Sequence, residues 1–152
     1  MKKWVLLIFP GFVVLVADRL VKHLTVDSAG RVLIPGVLAL HPTRNTGMAM
    51  GLFQDNTLLI LIASMVLIGV CVWLLRDVRL NGLALAAVSM MAGGALGNMI
   101  DRVALGSVID MFELLFMDFY IFNVADAGVV SGAFLCGLSL LFRPQDWSKR
   151  KK

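Results

Sequence analysis

Four apolar segments, at residues 4–24, 57–75, 80–103 and 123–142, constrain this chain more than any other feature. Each approaches or reaches the roughly 20 residues a helix needs to cross a bilayer. The second is the cleanest. Pro10-Gly11, Asp18 and Lys22 interrupt the first, and the third turns polar only at its end. With 59% hydrophobic and 16% charged residues, a water-soluble core cannot hide the apolar side chains. The chain therefore reads as an all-α membrane protein of four transmembrane helices. It forms one domain, residues 1–152, with loops at 25–56 and 104–122. Lys2-Lys3 and the apolar run behind them mimic a secretory signal. No small-x-small cleavage site follows, so the segment reads as a retained first span.

Charge orients the spans. Lys2, Lys3, Arg76, Arg79, Arg143, Lys149, Arg150, Lys151 and Lys152 fall on one side, nine of the 14 basic residues. The positive-inside rule makes that side cytoplasmic, with both termini there and Trp4, Trp73 and Trp147 near its interface. Both long loops then lie outside. Residues 31–40 and 44–53 suit short strands or a hairpin on the membrane surface. Residues 109–120 suit a short amphipathic helix at the interface.

Several chemistries are disfavoured. Cys71 and Cys136 lie in apolar runs with no adjacent base, as inert thiols do. His23 and His41 lack partners at ligand spacing, so no metal site is expected, nor any cofactor. No polybasic groove with interleaved aromatics marks a nucleic-acid partner. Ser64, Ser89, Ser107 and Ser131 have no His or Lys base nearby in sequence, against serine catalysis.

Depth supplies the functional signal. At about 1.5 Å per residue, Asp18, Lys22, Asn98, Asp101, Arg102, Asn123 and Asp126 collect at one level, at the outer ends of three helices. Spacings of three or four align Asp18 with Lys22, Asn98 with Asp101 and Arg102, and Asn123 with Asp126. Ionisable groups in apolar spans are costly and point to function. Structural readings compete. Asp18–Lys22 reads equally as an ion pair that lets both groups tolerate lipid. Asp101–Arg102 suits an interfacial cap, and Gly93, Gly94 and Gly97 suit close helix packing. Glu113 and Asp118 suit a solvated face. Asn98 and Asn123 are harder to explain without partners, because a buried amide needs them. The outer acids are Asp101, Asp110 and Asp126. Two neighbouring carboxylates share one proton near neutral pH, the arrangement of aspartic peptidases. Spacing alone does not choose Asp110 over Asp101.

Five motifs add a resemblance. They are Asp18-Arg19-Leu20-Val21-Lys22, Asn45-Thr46-Gly47-Met48-Ala49-Met50-Gly51, Gly97-Asn98-Met99-Ile100-Asp101-Arg102, Val108-Ile109-Asp110 and Phe122-Asn123-Val124-Ala125-Asp126. In this order, over nearly the whole chain, they resemble the lipoprotein signal peptidases (signal peptidase II), integral-membrane aspartic peptidases of bacteria. The resemblance implies that Asp110 and Asp126 are the catalytic pair. It implies that Asn45, Gly47, Asn98, Asp101, Arg102 and Asn123 line or support the site, and that Asp18 and Lys22 brace it. Residues 31–53 would form a small extracytoplasmic β-cradle and 109–120 an extracytoplasmic helix. The substrate would be a prolipoprotein, cut just before its diacylglyceryl-modified cysteine at the outer leaflet of the bacterial cytoplasmic membrane. No metal would be used, cyclic peptides of the globomycin type would inhibit, and the chain would work as a monomer among membrane lipids.

Three departures stand out: Arg19 where the family often has Gln, Met50 for Phe, and Met111-Phe112 where Phe more often follows the Asp directly. All three are expected at packing or substrate-facing positions, away from the acids. Rival functions fit less well. A carrier would need polar groups along a path through the bilayer, and the inner halves of the last three spans are apolar. A magnesium-dependent phosphotransferase would place its acids on the cytoplasmic face. A non-enzymatic assembly factor leaves Asp110 and Asp126 without a task.

Overall fold

The computed structural model describes residues 3–48 and 52–149, without the side chains of Lys3 and Trp4. Ala49, Met50 and Gly51 lie outside the described residues, as do Lys2 and residues 150–152. Four helices run α1 Lys3–Thr25, α2 Thr57–Leu75, α3 Gly82–Leu105 and α4 Val124–Phe142. Among the described residues, α2, α3 and α4 are each long and apolar enough to cross a membrane. Five short strands accompany them: β1 Arg31–Ile34, β2 Leu38–Asn45, β3 Val78–Leu80, β4 Val108–Leu114 and β5 Trp147–Lys149.

Helices α1, α3 and α4 pack as a trio around the small residues of α3. A Cβ on Gly93 would run into the Gly11 carbonyl, and one on Gly94 into the Ala125 carbonyl. Backbones approach this closely only where side chains are missing. The same seam carries a buried cross-helix bond, in which Gly11 N–H donates to Ser89 Oγ at 3.0 Å. Helix α2 stands apart. Ile60 is its only buried residue, and Leu58, Val66, Leu67 and Val72 are exposed, so it offers nearly its whole circumference to lipid.

One three-stranded antiparallel sheet, in the order β1-β2-β4, covers one end of the trio. Its hairpin turns at Gly36, with φ +70°, where a β-carbon would be strained. The β2–β4 register pairs Leu40 with Phe112 but Thr43 with Asp110, so β2 carries one extra residue at His41-Pro42. Proline has no N–H for the ladder, and a bulge accommodates it.

Two expectations change here. Residues 109–120 are no helix: the first part is strand β4, and residues 115–121 are bends and extended chain. Val108, Ile109, Asp110 and Met111 are all buried, and Phe112 exchanges backbone bonds with Phe122 on its other edge. A strand satisfied on both sides outcompetes an isolated interfacial helix. The strand expected at 44–53 ends at Asn45. There Asn45 Oδ1 accepts from Gly47 N–H at 2.9 Å, and the chain turns.

At the opposite end the chain closes on itself in a way the sequence did not suggest. β3 pairs with β5, and the Asp146 carboxylate accepts from Leu83 N–H at 2.9 Å, capping the start of α3. Trp147 Nε1 donates to Ser139 Oγ at 3.1 Å.

The small-residue seam makes a test. Gly93→Ala should destabilise the fold by about 1–3 kcal/mol, the usual cost of forced overpacking. Gly69→Ala on α2, whose Cβ meets nothing within 4 Å, should not. Thermal unfolding in detergent compares them, and equal midpoints would contradict the packing described.

Candidate active site

Asp110 and Asp126 reach one small cavity from different elements. Asp110 lies on β4, and Asp126 is in the first turn of α4. Asn123 joins them. It caps α4, with its Oδ1 accepting from Asp126 N–H at 2.8 Å and its own N–H donating to Asp126 Oδ2 at 3.2 Å. The same side chain donates through Nδ2 to Asp110 Oδ1 at 2.6 Å. A capping box, ordinarily a local helix-start device, here bonds both acids through one residue.

Asn98 of α3 supplies the next link. Its Nδ2 donates to Asp126 Oδ1 at 2.7 Å, while its Oδ1 accepts from Asn123 Nδ2 at 3.0 Å and from Lys22 Nζ at 3.3 Å. Lys22 is buried and ion-paired to Asp18 at 3.0 Å and Asp101 at 2.7 Å. Arg19 bridges the same two acids, at 2.7 and 2.6 Å. Asp18 Oδ1 also accepts from Ala125 N–H at 3.0 Å, and Asp101 Oδ2 from Ile109 N–H at 3.3 Å. Asp101 is thus taken up in ion pairs and is not part of the cavity wall, whereas Asp110 and Asp126 line it. Geometry draws the distinction between Asp101 and Asp110 that spacing could not. It also corrects the expectation for Arg19, which binds two carboxylates and is neither a packing nor a substrate-facing residue.

The third side of the cavity comes from β2 and its turn. Asn45 pairs with Val108, two residues from Asp110, so the two side chains are diagonal neighbours on one sheet face. Asn45 Nδ2 donates to Asp110 Oδ2 at 2.9 Å. Arg102 holds the turn, donating from Nη2 to the Gly47 carbonyl at 3.3 Å. Of the site residues singled out in the sequence, Asn45, Asn98, Arg102, Asp110 and Asp126 line the cavity, Gly47 lies in its supporting turn, Asp18, Lys22 and Asp101 form the ion cluster behind it, and Asn123 caps α4 between the two acids without lining the cavity.

The cavity measures about 80 Å³, and Met48, Val108 and Tyr120 complete its wall. Sequence reasoning gave these three no role of their own, although Met48 and Val108 stand inside two of the motifs. Tyr120, the chain's only tyrosine, three residues before Asn123, was the available signal. A larger cleft of about 640 Å³ lies beside the C-terminal end of α1, and no carboxylate lines it.

Burial pushes the Asp110 carboxyl up to about 6. The charge of Asp126 adds to the rise, and the Asn45 and Asn123 amides and Lys22 oppose it. Among the described residues, no three His, Cys, Asp or Glu side chains converge as metal ligands.

The sequence model of the family described as signal peptidase (SPase) II matches residues 11–142. The chain belongs to the signal peptidase II family. It is a peptidase of that class and a bacterial-type membrane protein. It is 34% identical to a lipoprotein signal peptidase of Lactobacillus johnsonii over 145 residues, covering 92% of this chain and 94% of that one. It is 37% identical to that of Enterococcus faecalis over 120 residues, covering 76% and 74%. A solved structure described as a bacterial membrane enzyme superposes with a TM-score of 0.78 at 27% identity, covering 95% of this chain and 92% of that one.

The raised Asp110 carboxyl has a signed consequence. The folded state holds this proton more tightly than the unfolded chain, whose carboxyl titrates near 4. The folded protein should therefore lose stability as pH rises from about 4 to 6, by about 2–3 kcal/mol, and level off above. Asp110→Asn removes this slope. The difference in unfolding midpoint between variant and wild type should move in the variant's favour over that interval. Parallel curves would show that burial does not perturb the group.

Proposed function

We propose that this chain is an aspartic endopeptidase that removes signal peptides from prolipoproteins, cutting just before the diacylglyceryl-modified cysteine at the outer leaflet. Asp110 and Asp126 share one proton. The ionised carboxylate takes a proton from water as its oxygen adds to the scissile carbonyl carbon. The protonated one hydrogen-bonds the carbonyl oxygen and then protonates it. Collapse of the resulting diol breaks the C–N bond, and a proton passes to the leaving amine. No covalent intermediate forms.

The observation that carries this reading is that Asn123 bonds both of the acids that line one cavity. Asn45 and Asn98 add one donor to each carboxylate. These amides orient the acids without adding charge, and Asp18, Lys22, Asp101 and Arg19 brace the frame that holds them.

The membrane setting fits the same substrate. In this reading α1 also spans, giving four spans, both termini inside and the β1-β2-β4 sheet as the outer cradle. The sparse packing of α2 leaves the trio's flank open to an apolar signal segment arriving sideways through lipid. Arg102 and the Gly47 turn lie against the cavity, where a cyclic peptide inhibitor of the globomycin type would compete. A single copy holds every group named.

Cleavage of a diacylglyceryl-modified prolipoprotein by the purified protein in detergent, read as a gel shift, tests the assignment. Asp110→Asn and Asp126→Asn should each lose at least about 10³-fold in rate while remaining folded. Asp101→Asn should act first on stability. Wild-type cutting by both dyad variants would sink the aspartic mechanism.

A further inference from the structure

One polar side chain at the cavity is used by neither the motifs nor the ion cluster. Tyr120 is half-buried beside Asn45, Asn98, Arg102 and the two acids. Every other polar side chain there is engaged. Asn45 donates to Asp110, Asn98 to Asp126 and Arg102 to the Gly47 carbonyl. The Tyr120 hydroxyl makes no hydrogen bond among the described residues.

Its position is nevertheless well held. The ring stacks on Phe119 with centroids 4.1 Å apart, and Phe119 meets Phe122 edge-on at 6.1 Å. Phe122 packs on Phe112 at 5.8 Å and is tied to it by backbone bonds in both directions. This aromatic ladder anchors the tyrosine to β4 and to the residue preceding the Asn123 cap. Burial and the charges of Asp126 and Asp110 raise the phenol's pKa, so it stays a neutral donor.

We propose that the Tyr120 hydroxyl is a substrate contact: it donates a hydrogen bond to a main-chain carbonyl beside the scissile bond and holds the chain over Asp110 and Asp126. This rests on the peptidase reading above. A neutral donor suits the place. It satisfies a carbonyl that leaves water on binding, and it adds no cation that would strip the shared proton from the acids. The four residues from Phe119 to Phe122 then form one wall of the substrate channel, with Tyr120 as its polar point.

Tyr120→Phe removes one oxygen and keeps the stack. In the prolipoprotein cleavage assay it should lower kcat/KM about tenfold, the worth of one hydrogen bond. The unfolding midpoint should be unchanged. Asp110→Asn runs alongside. If Tyr120→Phe matches wild type while Asp110→Asn is inactive, the contact is refuted and the peptidase reading stands. If its loss of rate accompanies an equivalent loss of stability, the tyrosine is structural and the contact is again refuted. If Asp110→Asn cuts normally, the peptidase reading falls and takes this inference with it.

Discussion

Lys22 sits between Asp18 and Asp101, 3.0 and 2.7 Å from their carboxylates, with almost none of its side chain exposed. A lone charge in such a place would cost several kcal/mol, and a paired one is tolerated only when its partners are well placed. Here two acids face two bases, with Arg19 bridging the same carboxylates from the more open side. The cluster fixes α1 against α3. Through Asp18 and Ala125 N–H it also fixes the start of α4, and through Asp101 and Ile109 N–H the start of β4. The elements bearing Asp110 and Asp126 are therefore set by charges that do not line the cavity themselves.

The cluster also determines a chemical detail. Asn98 can turn its amide two ways, but Lys22 and Asn123 both present donors to one side of it. The oxygen must face them, so the nitrogen faces Asp126. Asn123 is fixed similarly, its oxygen held by the α4 backbone and its nitrogen left for Asp110. Two amides of settled orientation thus point donors at two acids. The donors favour ionised carboxylates and burial disfavours them, and for Asp110 burial wins.

What could be read without coordinates followed one-dimensional signals. The four helices were plain because an apolar run of this length has few other uses. Helical spacing aligned Asp18 with Lys22 and Asn98 with Asp101. The role of Arg19 was hidden because it depends on two partners, one of them 82 residues away. Strand β4 reads as part of a helix in the sequence because Ile109 to Tyr120 mixes apolar and acidic residues without clear alternation. Its strand character comes from Phe122 and β2, which pair with it from either side. The closure by Asp146 and β5 had no motif at all. It rests on a carboxylate meeting the exposed N–H groups of α3, a relation between chain ends that local pattern cannot express.

The extra residue at His41-Pro42 sets the phase of everything after it in β2. Side chains alternate faces along a strand, so a shift of one residue would carry Asn45 from the Asp110 side to the other. Length is consequently unequal in value along this hairpin. The turn around Gly36 can grow or shrink and move only the tip. Between Leu40 and Thr43 the chain is counted: a second extra residue there, with no further bulge to absorb it, would leave the strand intact and still paired, yet rotate the Asn45 amide away from the acid it bonds.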